Sequence, residues 1–139
     1  MKLVIDSNII FSALISVKVT YLEIFEAADI YVPDFLFIEL ARYEQRIQQQ
    51  ADLADSFKTF TRDLFSNITV IPNIAISSGS FMRAHSLCRD VDLEDIPFVA
   101  LSIDLEIPLW TNDKKLKEAL RAKEYTNIAS SSDIFELLP

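Results

Sequence analysis

Short β-prone apolar runs recur along this chain, each separated from the next by segments with helical periodicity. KLVID (residues 2–6), DIYVP (29–33), ITVIP (68–72) and IPLWT (107–111) read as strands, and TNIAS (126–130) as an edge strand. Between them, residues 8–16, 19–28, 34–50, 52–65, 80–89, 96–106 and 114–124 read as helices, and 132–138 as a closing one. In 52–65, Leu53, Phe57, Phe60 and Leu64 form the apolar stripe. Asp34 is placed as the N-cap of the long helix 34–50. Residues 73–80 read as a surface loop. Near-continuous apolar strands alternating with helices demand a parallel sheet covered on both faces, because a strand buried on both sides needs helices above and below it. The expected architecture is therefore α/β, three layers with a central parallel sheet, in one domain spanning 1–139.

Composition narrows the chemistry. Half of the 139 residues are hydrophobic, enough to build a core, and no run of roughly 18 apolar residues suggests a membrane span. The N-terminus reads poorly as a signal peptide, since Asp6 interrupts the apolar stretch. Cys88 is the only cysteine, which fits a reducing, cytoplasmic setting. Gly79 is the only glycine, so neither a dinucleotide fingerprint nor a P-loop can be built. His85 is the only histidine, which excludes a paired-histidine ribonuclease, and packing is the reading for it and for Cys88. The net charge of −8 offers no whole-molecule attraction to nucleic acid.

Four acids stand where surface acids are not expected. Asp6 ends the first strand and Asp113 follows the fourth. Asp95 precedes Pro97, which is tolerated only in a first helical turn, so Asp95 falls at an N-cap. Glu39 shares a largely apolar helix face with Phe35 and Tyr43. Each has a plain explanation: a cap for Asp6, Asp95 or Asp113, a solvated edge for Glu39. Asp92, three residues before Asp95, is not explained by capping. In a parallel sheet these residues can converge at the carboxyl ends of the strands, where such folds place their sites. Carboxylates within ~6 Å of one another would repel and raise one another's pKa unless a cation joined them, and hard oxygen donors suit Mg²⁺ or Mn²⁺.

LVIDSNII, VPDFLFIEL and DLEDIPFVALSIDLEIPLWTNDKKL together resemble the PIN-domain nucleases, including the VapC-type toxins of toxin–antitoxin pairs, over nearly the whole chain. Carried over residue by residue, Asp6, Glu39, Asp95 and Asp113 match the family's acidic quartet. Asp92 matches a further acid of one branch, and Asn8 and Thr111 match supporting polar positions. The resemblance implies a three-layer fold, frequent homodimers, an antitoxin protein as partner, and Mg²⁺- or Mn²⁺-dependent cleavage of RNA. In that scheme Asp6, Asp92, Asp95 and Asp113 hold metal, and Glu39 completes the shell or orients water. Lys114, Lys115, Arg42 and Arg46 are the candidates for holding RNA, against the plainer reading of solvated helix faces. Family members often carry glycine between the last helix and the fourth strand, where this chain has DLEIP. Receiver-domain, dehalogenase-type phosphatase and metal-adhesion readings fail at D-S-N-I-I, which lacks their adjacent or alternating acids and serines. A catalytically silent PIN-like binding module is the serious rival.

Overall fold

The computed structural model describes residues 1–51 and 55–138. Its sheet contains β1 (Lys2–Ile5), β2 (Asp29–Pro33), β3 (Ile68–Ile71), β4 (Leu109–Trp110) and β5 (Ile128–Ala129), all parallel, in the order β3-β2-β1-β4-β5. Helices α1 (Ser7–Ser16) and α2 (Val19–Ala27) join β1 to β2. Helices α3 (Leu36–Arg42), α4 (Glu44–Ala51) and α5 (Asp55–Ser66) lead to β3, then α6 (Ser78–Cys88) and α7 (Ile96–Leu105) to β4. Helix α8 (Lys114–Ala122) precedes β5, and α9 (Ser131–Phe135) follows it. The fold is the three-layer α/β/α arrangement expected.

The layering follows from crossover handedness. The chain steps outward from β1 to β2 to β3, then returns to the other side of β1 for β4 and β5. Right-handed crossovers in opposite directions put their helices on opposite faces. Accordingly α2 packs with β2, α5 and α9, whereas α7 lies on β1, β2 and β4 with α6 beside it. Helix α7 is buried at five successive residues, Phe98 to Ser102, because it is roofed by α6 and floored by the sheet. Trp110 is fully buried, with the rings of Phe25, Phe135 and Tyr21 at 6.2, 6.2 and 6.3 Å. Its indole N–H donates to Ser131 Oγ at 3.0 Å, so the ring is anchored as well as buried.

Several local expectations are corrected. The long helix over 34–50 is two helices, broken at Tyr43, whose ring packs against Phe11 at 4.7 Å. The Tyr43 N–H bonds back to Leu40 at 3.1 Å, closing a tighter turn before α4 begins. Asp34 is not the cap: its N–H continues the sheet to Ile71, and its carboxylate accepts from the Asn73 N–H at 3.3 Å. Residues 78–80 of the expected loop belong to α6, which Ser77 caps by accepting from the Ser80 N–H. Asp104 accepts from Ser80 Oγ at 2.9 Å and the Ser77 N–H at 3.2 Å, tying α7 to the start of α6. Of the stripe in α5, Phe57, Phe60 and Leu64 are buried and Leu53 lies outside the described residues. Cys88 is buried, but His85 is exposed.

Glu106 ends α7 at φ 57, ψ 42, the left-handed region that favours glycine. This is the DLEIP segment, so the glutamate that stands there carries a local backbone strain. Glu106→Gly is expected to stabilise the protein by about 1 kcal/mol, read as a higher urea midpoint at unchanged slope. A lower midpoint would show that the left-handed turn costs nothing here.

Candidate active site

Strand order reverses around β1, whose neighbours β2 and β4 are reached by crossovers in opposite directions. The carboxyl ends of β1 and β4 therefore border the crevice in which open α/β sheets carry ligands. Asp6 follows β1 directly, and its N–H still pairs with the Trp110 carbonyl at 3.0 Å. Its side chain is 2 % exposed. Thr111, fully buried after β4, donates its hydroxyl to Asp6 Oδ2 at 2.8 Å and accepts the Asp113 N–H at 3.1 Å. Asp113 Oδ1 accepts the Leu116 N–H at 3.1 Å, so this acid caps α8, as one reading of the sequence expected.

Glu39 enters from α3. The Ser7 hydroxyl stands between two carboxylates, donating to Glu39 Oε2 at 3.0 Å and lying 3.4 Å from Asp6 Oδ1. Ser7 was not singled out from the sequence. The available signal was its place directly after a strand-ending aspartate, at the first position of a helix.

Asp95 corrects an expectation. It sits at the N-cap position of α7 but makes no capping bond, because its backbone is already helical (φ −75, ψ −17) at the end of a short turn, Leu93–Asp95. Asp92 caps that turn instead, accepting the Glu94 N–H at 2.9 Å. The division of labour releases the Asp95 carboxylate from the helix end. Its Oδ2 is buried and has no hydrogen-bond partner among the described residues.

The electrostatics show that these acids share one neighbourhood. Burial, then repulsion from Asp6, Asp92, Asp113 and Glu39, pushes Asp95 up to about 8. Burial pushes Glu39 up to about 7, with Asp6 and Glu94 adding repulsion and the Ser7 hydroxyl and Arg42 opposing it. Asp6 is also raised, chiefly by burial and further by Asp113, against the stabilising Thr111 hydroxyl. Among the described residues no lysine or arginine pairs with Asp6, Glu39, Asp95 or Asp113. Nor do three or more acidic, histidine or cysteine side chains already stand grouped as a set of metal ligands. The donor set is wholly oxygen, and an unpartnered buried carboxylate oxygen is the feature a hard cation would satisfy. The residues fit Mg²⁺ or Mn²⁺ on those grounds.

The remaining candidates lie around this centre. Asp92 is exposed and already engaged as a cap. Asn8 is exposed on the first turn of α1. Lys114 and Lys115 are exposed at the start of α8, next to Asp113. Arg42 is exposed and bound to Glu94, and Arg46 is exposed on α4.

A raised carboxyl pKa means that the folded state holds its proton more tightly than the unfolded chain does. The stability that Asp95 contributes without metal is then fully present below the ordinary carboxylate value of 3.8 and is lost as pH rises through about 8. Asp95→Asn removes that titration. In EDTA its melting temperature should exceed wild type most at alkaline pH and least in acid. A difference independent of pH would remove the case for a buried, mutually repelled Asp95.

The comparisons with known proteins bear on the fold and the family. No curated protein matches the sequence. The structure is similar to a crystallised VapBC2 from Rickettsia felis, bound to a DNA fragment from their promoter, with TM-score 0.56 and 14 % identity, covering 94 % of this chain and 98 % of that one. A family model described as the PIN domain matches residues 4–130. PIN domains are generally nucleases that use divalent metals. The acids at the switch point are thus set in a matching fold, and the chain belongs to the PIN-domain family.

Proposed function

We propose that this chain is a divalent-metal-dependent endoribonuclease that hydrolyses RNA phosphodiester bonds. The observation that carries the reading is the buried, unpartnered Oδ2 of half-buried Asp95, a carboxyl raised by burial and then by Asp6, Asp92, Asp113 and Glu39, with no basic side chain paired to it among the described residues. Asp6, Asp95 and Asp113, with Asp92 at the rim, are the residues that would hold Mg²⁺ or Mn²⁺, in part through water, as Mg²⁺ prefers. When bound, the ion supplies a lowered pKa for water and neutralises charge on the phosphate.

The protein's own groups do the rest. Thr111 fixes Asp6, and Asp113 is fixed by its cap to α8, so two acids are held on rigid element ends. Glu39, pushed up to about 7, is suited to take a proton from attacking water near neutral pH, and Ser7 aims it. Lys114 and Lys115 hold backbone phosphates beside Asp113. Arg42 and Arg46 hold phosphates on the α3–α4 side. The exposed Arg42–Glu94 pair is weak enough in water to open for a phosphate.

The resemblance to the toxin of a VapBC pair extends the reading. The chain acts in the cytoplasm as a toxin, works as a homodimer and is restrained by an antitoxin protein. An apolar groove of about 460 Å³ lined by Leu14, Phe37, Leu40, Ile47, Phe57 and Phe65 offers such a partner an apolar surface. That groove also favours the second reading, a PIN-like module whose work is protein binding without catalysis.

Wild type is expected to cleave single-stranded RNA with Mn²⁺ and not with EDTA. Asp6→Asn should lower the rate about a hundredfold or more, since several kcal/mol of charge stabilisation go with the ion. Mn²⁺ should raise the melting temperature of wild type and not of Asp95→Asn, by preferential binding to the folded state. Equal cleavage by wild type and Asp6→Asn would sink the site. No cleavage with intact Mn²⁺ stabilisation would favour the silent module. Expression should be toxic for wild type and tolerated for Asp95→Asn if the protein is a toxin.

A further inference from the structure

From the first turn of α1, which follows Asp6, runs a groove of about 490 Å³ between α1 and α4. One wall is a single stripe of α1, Asn8, Phe11, Ser12, Ile15 and Ser16, spaced as one helix face. The stripe starts at Asn8, adjacent to Ser7, and runs about 12 Å away from the acids. The other wall carries Tyr43, one helical turn beyond Glu39, and Arg46. Lys18 lines it as well.

Its composition is the reverse of the molecule's. The chain has 21 acidic and 13 basic residues, yet two cations and no acid line this groove. Among the described residues neither Lys18 nor Arg46 forms an ion pair. Tyr43 is 45 % exposed and lines the groove, and its ring packs at a 59° tilt against Phe11 with centroids 4.7 Å apart, which holds the ring in place at the groove wall.

Resting on the nuclease reading, we infer that this groove seats the unpaired nucleotides flanking the scissile phosphate. A base stacks on Tyr43, backed by Phe11, while Lys18 and Arg46 hold the backbone. Stacking on an aromatic face accepts any unpaired base, and cations close to the chain overcome the repulsion of a molecule with net charge −8. A duplex, whose bases are already stacked on each other, gains nothing from Tyr43. The neighbouring groove on the far side of Ile47 is apolar, carries Glu44 and no cation, and does not suit a phosphate backbone.

The test is fluorescence anisotropy of a short fluorescein-labelled oligouridylate with wild type, Lys18→Gln, Arg46→Gln, Tyr43→Ala and Tyr43→Phe, in EDTA. Melting curves confirm folding for each. Tyr43→Ala should weaken binding about five- to tenfold and Tyr43→Phe should not, because the ring is retained. Lys18→Gln and Arg46→Gln should each reduce the slope of log affinity against log salt by about 0.7. With Mn²⁺, the same variants should raise KM for RNA cleavage and leave kcat within about twofold. Binding within twofold of wild type for all of them overturns the inference, as does an equal loss for labelled duplex. A change in oligomer mass with oligouridylate binding unaltered would assign the groove to a second copy of the chain. Loss of cleavage in wild type with these binding losses intact would sink the nuclease reading and leave the groove standing.

Discussion

Burial of neighbouring carboxylates, with mutual repulsion added to it, is the constraint around which the site is built. Asp6 is nearly inaccessible, and Asp95 is pushed up to about 8 by burial and by four neighbouring acids. A buried carboxylate ordinarily acquires a basic partner or several donors, because the unpaired charge is costly. Here only hydroxyls and backbone amides are supplied. Thr111 and Ser7 lower the cost of the charged forms without cancelling the charge. A protein keeps such an arrangement against its own stability where the charge is used, and perturbed carboxyls in a crevice are what functional sites show.

The fold supplies the means of tolerating it. Helices α1, α7 and α8 all begin at residues directly after Asp6, Asp95 and Asp113, so three positive helix ends face the acids. Each contributes a fraction of a charge, which moderates the repulsion without removing the affinity for a cation. The parallel sheet makes this possible because every strand delivers the chain to the same edge. Reversal of strand order at β1 then opens a gap between α1 and α7, on opposite faces. The heavily buried aromatic cluster around Trp110 fixes the ends of β1 and β4 from below, so the acids are positioned by packing.

The sheet was legible in the sequence because buried parallel strands are short and almost wholly apolar, and DIYVP was bounded correctly to the residue. The acids were legible because a carboxylate at the end of such a run violates the pattern. Details settled by tertiary contact were not. Nothing local breaks the helix at Tyr43; its packing on Phe11 of α1 does. Asp34 has every mark of a cap, but the Asn73 N–H across the chain claims its carboxylate. Ser7 was overlooked because a serine at the start of a helix looks like local capping, and its bond to Glu39 spans 32 positions. Arg42 reads as a free cation until α3 is set beside Glu94.

The Asp92–Asp95 pair shows how sequence spacing encodes the separation of structural from chemical duty. A single acid before a proline-started helix would be consumed by the helix end, its oxygens committed to backbone N–H groups. Adding a second acid three residues earlier lets a short turn form first, and Asp92 takes the capping bond to the Glu94 N–H. The turn carries Asp95 into helical backbone, where its carboxylate can no longer reach back to cap and projects among the other acids. The repulsion between the two aspartates is the cost of leaving one of them unspent. Asp113 follows the other solution: one oxygen caps α8, and among the described residues no backbone bond is made to its second. Asp95 is accordingly an acid whose buried Oδ2 the native structure leaves without a hydrogen-bond partner among the described residues, free for whatever cation enters the crevice.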